Sequence, residues 1–276
     1  MLAGIIGDVI GSVYEAHQWQ SKDLNLIQAD DSQITSLFKE AKWVRKTPDW
    51  TDDTLCTLAL YAAYIHNQDP KDALLYYCNK YKTEAVGFGG SFMKWLENPV
   101  PYESFGNGSL MRVGFIPFLT IPIEQKLRLG YAYTAVSHNH PDSFESVRDF
   151  IFLTDKIGNQ LDSPVKDKKI LQDYLTHFNF TKSIEDMHVE NKFELNAKKT
   201  LFQAIVVVLN SNSIEEVLRN CFYIGGDSDT MACIACNLAS TLYKCPENLL
   251  EYSLSKVHAY PELSPLVKNF QLNYWI

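Results

Sequence analysis

Two clusters of aspartate stand far apart in this chain, and each runs directly into an apolar helical segment. They are Trp50-Thr51-Asp52-Asp53-Thr54 and Gly225-Gly226-Asp227-Ser228-Asp229-Thr230. Asp53 to His66 has the acidic start and the Asn67 stop of a strong helix. Asp229 to Tyr243 is apolar nearly all round, the mark of a central, buried helix. Four aspartates meeting in one pocket repel one another strongly unless cations sit between them. Hard oxygen donors of this kind suit Mg²⁺ or Mn²⁺ far better than Zn²⁺, which wants His or Cys. The sequence therefore points to a metal site built from both ends of the chain.

The remaining composition sets bounds. With 276 residues, 46% hydrophobic and 21% charged, the chain can bury a substantial core. A net charge of −8, with no dense Lys/Arg stripe, argues against nucleic acid as the main partner. Six cysteines show no disulfide-framework spacing, and the Cys233/Cys236 pair sits in an apolar helical context that reads as buried, reduced thiols. No stretch approaches about 18 uninterrupted apolar residues, so no membrane span is expected. The N-terminal apolar run lacks a basic flank and is interrupted by Asp8. A cytoplasmic, reducing location and a monomer are the expectations.

Most of the chain reads helical. Residues 2–16 form an apolar segment with Gly4, Gly7 and Gly11 on one face, a spacing that predicts close packing against another helix. Further helical periodicity covers 70–81, 109–120, 123–136, 142–157, 194–210 and 213–220. Strand signals are sparse, and residues 158–193 are polar and irregular enough to read as a surface excursion. The expected fold is all-α, a compact single-domain orthogonal helical bundle over 1–276.

Thr51, Asp52 and Asp53 are consecutive, so they can converge on one ion only at a turn entering a helix. The competing reading is a simple helix cap. Asp227 and Thr230 share a face while Asp229 leans away, so Asp229 could bridge two ions. A haloacid-dehalogenase-like phosphatase also carries Asp-x-Asp, but after a buried strand; here Phe222-Tyr223-Ile224 is short and Met231 takes the fifth place. Glu15 ends the first helix, and Asp8 and Glu15, seven apart, project from the same face of it two turns apart. Ser104-Phe105-Gly106-Asn107-Gly108-Ser109 is a glycine-rich loop feeding a helix N-terminus, which presents free backbone N–H groups and favours anionic ligands such as phosphate, although Gly-Asn-Gly is also an ordinary turn. In Ser137-His138-Asn139-His140-Pro141 the imidazoles suit capping and substrate hydrogen bonding more than metal.

In series, Gly7–Glu15, Thr51–Thr54, Gly106–Arg112, His138–Pro141 and Gly225–Thr230 resemble the ADP-ribosylglycohydrolase family, over nearly the whole chain. The resemblance implies an all-α fold with two Mg²⁺ or Mn²⁺ ions at the bottom of a cleft. Thr51, Asp52, Asp53 and Asp229 would hold one ion and Asp227, Asp229 and Thr230 the other, with Glu15 close by. Ser104, Phe105, Gly106, Asn107, Gly108, Met111 and His138 would contact ADP-ribose. Leu110, where the family has a small residue, and Ala16-His17 after Glu15 depart from the pattern and bear on substrate range. The expected activity is hydrolysis of the bond between ADP-ribose and an acceptor, with Glu15 as first candidate for the base and Asp52 or Asp53 as second. The rivals are a catalytically silent ADP-ribose binder or immunity protein and an Mg²⁺-dependent phosphohydrolase.

Overall fold

Two helices far apart in sequence, α1 (Leu2–Gly11) and α12 (Ser228–Ala239), are buried at every residue, and the two pack on each other. The glycines of α1 explain how. A Cβ on Gly7 would lie 2.4 Å from the backbone of Ala232, and one on Gly11 would lie 2.6 Å from Cα of Asp229. Each glycine costs helix propensity of about 1 kcal/mol, and in return the two backbones touch, as the spacing predicts. This contact sets the N-terminus of α12 beside the C-terminus of α1.

The computed structural model describes residues 1–20, 26, 34–36, 45–159, 168–190 and 192–274. Around the central pair lie α2 (Asp52–His66), α3 (Pro70–Tyr81), α4 (Gly90–Glu97), α5 (Gly108–Met111), α6 (Ile123–Ala135) and α7 (Pro141–Gly158). The remaining helices are α8 (Lys169–His177), α9 (Ile184–Glu190), α10 (Ala197–Leu209), α11 (Ile214–Ile224), α13 (Glu247–His258) and α14 (Ser264–Tyr274). Helices α10 and α11 flank α12, α13 covers α1, and α2 packs on α1, α3 and α14. One short antiparallel ribbon, β1 (His17–Trp19) with β2 (Ile34–Ser36), is the only sheet among the described residues. The class is all-α. All six cysteines are buried and free. Among the described residues no helix is long and apolar enough to cross a membrane.

Several boundaries differ from the sequence pattern. The first helix stops at Gly11 rather than residue 16. The Ser12 hydroxyl bonds back to Val9 O and accepts from Asp49 N, and the chain then turns through Ala16 at φ 59°. The 109–120 segment breaks into α5, a turn, and a 3-10 turn at Ile116–Phe118. Gly114 is pressed against Asn237, with 2.1 Å from a hypothetical Cβ to Nδ2, and Pro117 lacks an N–H. Helix α12 ends at Ala239 because Ser240 and Thr241 turn their hydroxyls back onto Asn237 O and Leu238 O. The pattern missed α4, α8, α9, α13 and α14. Within 168–190, α8 buries Leu171 and Leu175, and α9 buries Ile184 and Met187.

Candidate metal centre and cleft

The start of α2 is fixed from outside the helix. Asp8 of α1 accepts from Thr51 N at 3.0 Å, Thr51 Oγ1 at 2.6 Å and Thr54 N at 3.0 Å. A carboxylate from another helix thus satisfies amides that a helix N-terminus leaves orphaned. Thr51 in turn accepts from Asp53 N at 3.3 Å. With the first turn held this way, the consecutive Asp52 and Asp53 both face one cleft. Thr51 does not line that cleft; its hydroxyl proton goes to Asp8.

The second cluster reaches the same place through Gly225 and Gly226, at φ 81° and 83°. A side chain at Gly226 would sit 2.5 Å from Lys192 O, so only glycine fits the turn. Ala16 N donates to Gly226 O at 2.8 Å, which pins the turn after α1 here and brings in Glu15. Glu15 and Asp8 therefore reach one centre from a turn and a helix, not from one continuous helix face. Thr230 Oγ1 donates to Asp53 Oδ2 at 3.2 Å, closing two segments 177 positions apart into one constellation.

Carboxylate oxygens of Asp8, Asp53 and Asp229 lie within 4.8 Å of one another, and so do those of Glu15, Asp227 and Asp229. Asp229 belongs to both groups. One oxygen of several carboxylates is held by a neighbour: Asp53 Oδ2 by Thr230, Asp227 Oδ2 by Asn107 Nδ2 at 2.7 Å, and Asp229 Oδ1 by Thr230 N at 2.9 Å. Asp53 Oδ1 is buried without a hydrogen-bond partner. Such an oxygen costs about 1–3 kcal/mol unless something accepts its lone pairs. Asp8 is the component that sequence reasoning left out of the site. The available signal was a lone carboxylate inside an otherwise apolar helix.

None of the six acids is more than 9% exposed. Burial, then neighbouring acids (for Asp52, Cys56 ahead of them), holds Asp52, Asp53 and Asp229 well above the usual carboxylate range. Burial also raises Asp8 and Asp227, but bonds from Thr51 and Thr54, and from Asn107, oppose it. Among the described residues no Lys or Arg pairs with Asp8, Asp52, Asp53, Asp227 or Asp229. Two charges at 4 Å interact by about 4 kcal/mol at an effective dielectric near 20. Carboxylates crowded like this, with an orphaned buried oxygen and all-oxygen chemistry, fit divalent cations.

Above the acids opens a cleft of about 560 Å³, lined by Glu15, Asp52, Asp53, Asp227, Asp229 and Thr230 at one end. Ser104, Phe105, Gly106, Asn107, Gly108, Met111 and His138 line it further along. The 104–108 loop is anchored to the start of α10 by Asn107 N to Leu195 O and Ala197 N to Phe105 O, both 2.8 Å. Its amides are largely engaged: Gly106 N on Ser104 Oγ, Ser109 N on Gly106 O, Leu110 N and Met111 N on Asn107 O. The open amide cradle expected from the glycines is thus mostly filled by the protein, and α5 is a single turn. Gly87, which the sequence pattern did not flag, forms the facing wall at φ 101°, where a Cβ would lie 2.4 Å from Asp52 Oδ1.

Arg112 is buried, donates to Gly108 O and to Ser137 Oγ at 2.9 Å, and lies over Phe92. Ser137 Oγ accepts from Arg112 and lies within hydrogen-bond distance of His138 Nδ1, at 2.9 Å. His138 Nε2 lies beside Gly106 and Gly108, and in the neutral tautomer whose Nδ1 accepts from Ser137 it is a donor there. Burial first, then Arg112, holds His138 well below its usual pKa, so the ring is neutral at neutral pH. His140 caps α7 by accepting from Asp142 N at 3.1 Å and stacks edge-on with Phe105, which is 50% exposed at the rim.

A family model described as ADP-ribosylglycohydrolase matches residues 1–274. The chain belongs to the ADP-ribosylglycohydrolase family. No curated protein matches it. Among solved structures it is similar to an "ADP-ribosylglycohydrolase-related protein complex" at 19% identity, covering 99% of this chain and 94% of that one with a TM-score of 0.67, a likeness of fold. Membership supports a glycohydrolase function. Of the two departures from the ADP-ribosylglycohydrolase pattern, Leu110 is fully buried and absent from the cleft lining. His17 turns its Nδ1 to Glu15 O at 2.7 Å.

Proposed function

We infer that the protein is a metal-dependent hydrolase that cleaves the glycosidic bond between ADP-ribose and an acceptor. The observation that carries this reading is the sharing of Asp229 between two buried acid triads beneath a cleft. Asp52, Asp53 and Asp229, with Asp8 behind them, would hold one Mg²⁺ or Mn²⁺; Asp227, Asp229, Thr230 and Glu15 would hold or border the other. Thr51 contributes by fixing Asp8 and the first turn of α2. When bound, two such ions supply charge stabilisation at the ribose hydroxyls and a water of lowered pKa.

The chain's own residues do the rest. His138 offers Nε2–H to a phosphate oxygen, and Phe105 offers an exposed ring at the rim. Glu15 would take the proton of the attacking water as the water oxygen bonds to C1″ and the bond from C1″ to the acceptor breaks, and that proton then passes to the departing acceptor atom. Asp52 or Asp53 is the second choice for this base. Held oxygens on Asp53, Asp227 and Asp229 keep the acids oriented before substrate arrives, as positioned charge requires.

The test is release of ADP-ribose from a panel of ADP-ribosylated substrates (arginine-linked, serine-linked, acetyl-ester and base-linked). It is run with Mg²⁺, with Mn²⁺ and with EDTA. The reading expects release on at least one substrate, abolished by EDTA and restored by metal. Tight ADP-ribose binding without release on any substrate would favour a silent binder, and phosphate release a phosphohydrolase.

A further inference from the structure

We propose that Asn107 is a positioning residue for Asp227, rather than a contact to substrate. This rests on the reading that the acid constellation binds divalent cations. A side-chain amide has two N–H donors, and Nδ2 of Asn107 spends them within the protein. One goes to Asp227 Oδ2 at 2.7 Å and the other to Thr200 Oγ1 at 3.4 Å. Thr200 accepts because its own proton is committed to Asn196 O at 3.0 Å. The amide orientation is therefore set: turning it over would place its oxygen against the Asp227 carboxylate.

Asn107 is only 6% exposed, and its backbone is also held, N–H to Leu195 O and carbonyl to Leu110 N and Met111 N. The same Asp227 carboxylate belongs to the group formed with Glu15 and Asp229, so the Asn107 bond fixes the orientation of an acid inside that group. Thr200 and Asn196 belong to the first turn and cap of α10, and Asn196 Nδ2 continues to Asp142 Oδ2 of α7 at 2.8 Å. The Asp227 carboxylate is thus braced, through Asn107, against two helices that carry no candidate metal ligand. Partners of this kind typically tune metal affinity by about 10–100-fold.

The experiment is a Mn²⁺ titration by calorimetry, without nucleotide, on wild type, Asn107→Leu and Thr200→Val, followed by ADP-ribose titration of the same Mn²⁺-loaded proteins. Leu keeps the side-chain shape and removes the donor. The expected result is Mn²⁺ binding weakened about 10–100-fold in Asn107→Leu. A smaller loss in the same direction is expected in Thr200→Val, which keeps Asn107 but removes its brace. Should Asn107→Leu fail to fold by near-ultraviolet circular dichroism, Thr200→Val alone decides. Unchanged Mn²⁺ isotherms beside weakened ADP-ribose binding would overturn the proposal and return Asn107 to substrate contact. A wild type that binds no Mn²⁺ would instead overturn the metal reading and this proposal with it.

Discussion

Replacing Asp229 by asparagine should stabilise the metal-free protein and weaken the metal-bound one, a reversal that few substitutions produce. Asp229 is 3% exposed and shares both acid groups, with oxygens within 4.8 Å of neighbours on each side. At an effective dielectric near 20, one such pair of charges repels by about 3 kcal/mol. The acids lower this by taking up protons, so a net gain of about 2 kcal/mol is expected at pH 8. In asparagine, Oδ1 still accepts from Thr230 N, and the new N–H₂ lies among the carboxylates of the two acid groups, which can accept from it, so no buried donor is orphaned. For a chain of this size the gain corresponds to roughly 3–6 °C in Tm. Wild type should gain stability with Mn²⁺ by mass action, about 2.7 kcal/mol at 100 times Kd, while Asp229→Asn gains little. The assay is thermal unfolding of both proteins in EDTA and in Mn²⁺. An Asp229→Asn protein less stable than wild type in EDTA, with the same Mn²⁺ gain, would refute the argument.

Three further outcomes follow from the same geometry. Asp52, Asp53 and Asp229 have folded pKa values raised above their unfolded ones. Their contribution is therefore fully present below about pH 4 and is lost as pH rises; urea midpoints in EDTA should fall from pH 5 to pH 8, and saturating Mn²⁺ should flatten that slope. Asp8→Ala orphans three buried donors at the start of α2, a cost of about 1–3 kcal/mol each that exceeds the roughly 2 kcal/mol of charge relief from removing one acid, so urea unfolding in EDTA should show a net loss of stability. Gly7→Ala drives a methyl to 2.4 Å from the Ala232 backbone and should cost about 2 kcal/mol or more, whereas Gly89→Ala, with open space around it, should cost under about 0.5 kcal/mol.

The sequence was most informative where side-chain chemistry repeats locally. Both aspartate clusters open helices, the glycines of α1 meet α12, and every candidate site residue except Thr51 lines one cleft. It was least informative where a partner lies far along the chain. Asp8 looked like an interruption of an apolar helix, and its amide partners on α2 are 43 and 46 positions away. Helix α1 stops early because Ser12 and Ala16 are held by Asp49 and Gly226, which no local periodicity records. The family resemblance places Asn107 at the ligand, and it does line the cleft; its bonds to Asp227 and Thr200, which exist only once α10 and α12 have packed, left no signal in the sequence. Helices α8 and α9 were hidden by polar exposed faces over two buried apolar residues each.

The most direct test of the account is anomalous scattering from crystals grown or soaked in Mn²⁺. Two manganese peaks flanking the Asp229 carboxylate, one toward Asp53 and one toward Asp227, are the predicted result. Manganese bound away from Asp229, or no ordered manganese at concentrations that saturate the protein in solution, would contradict it.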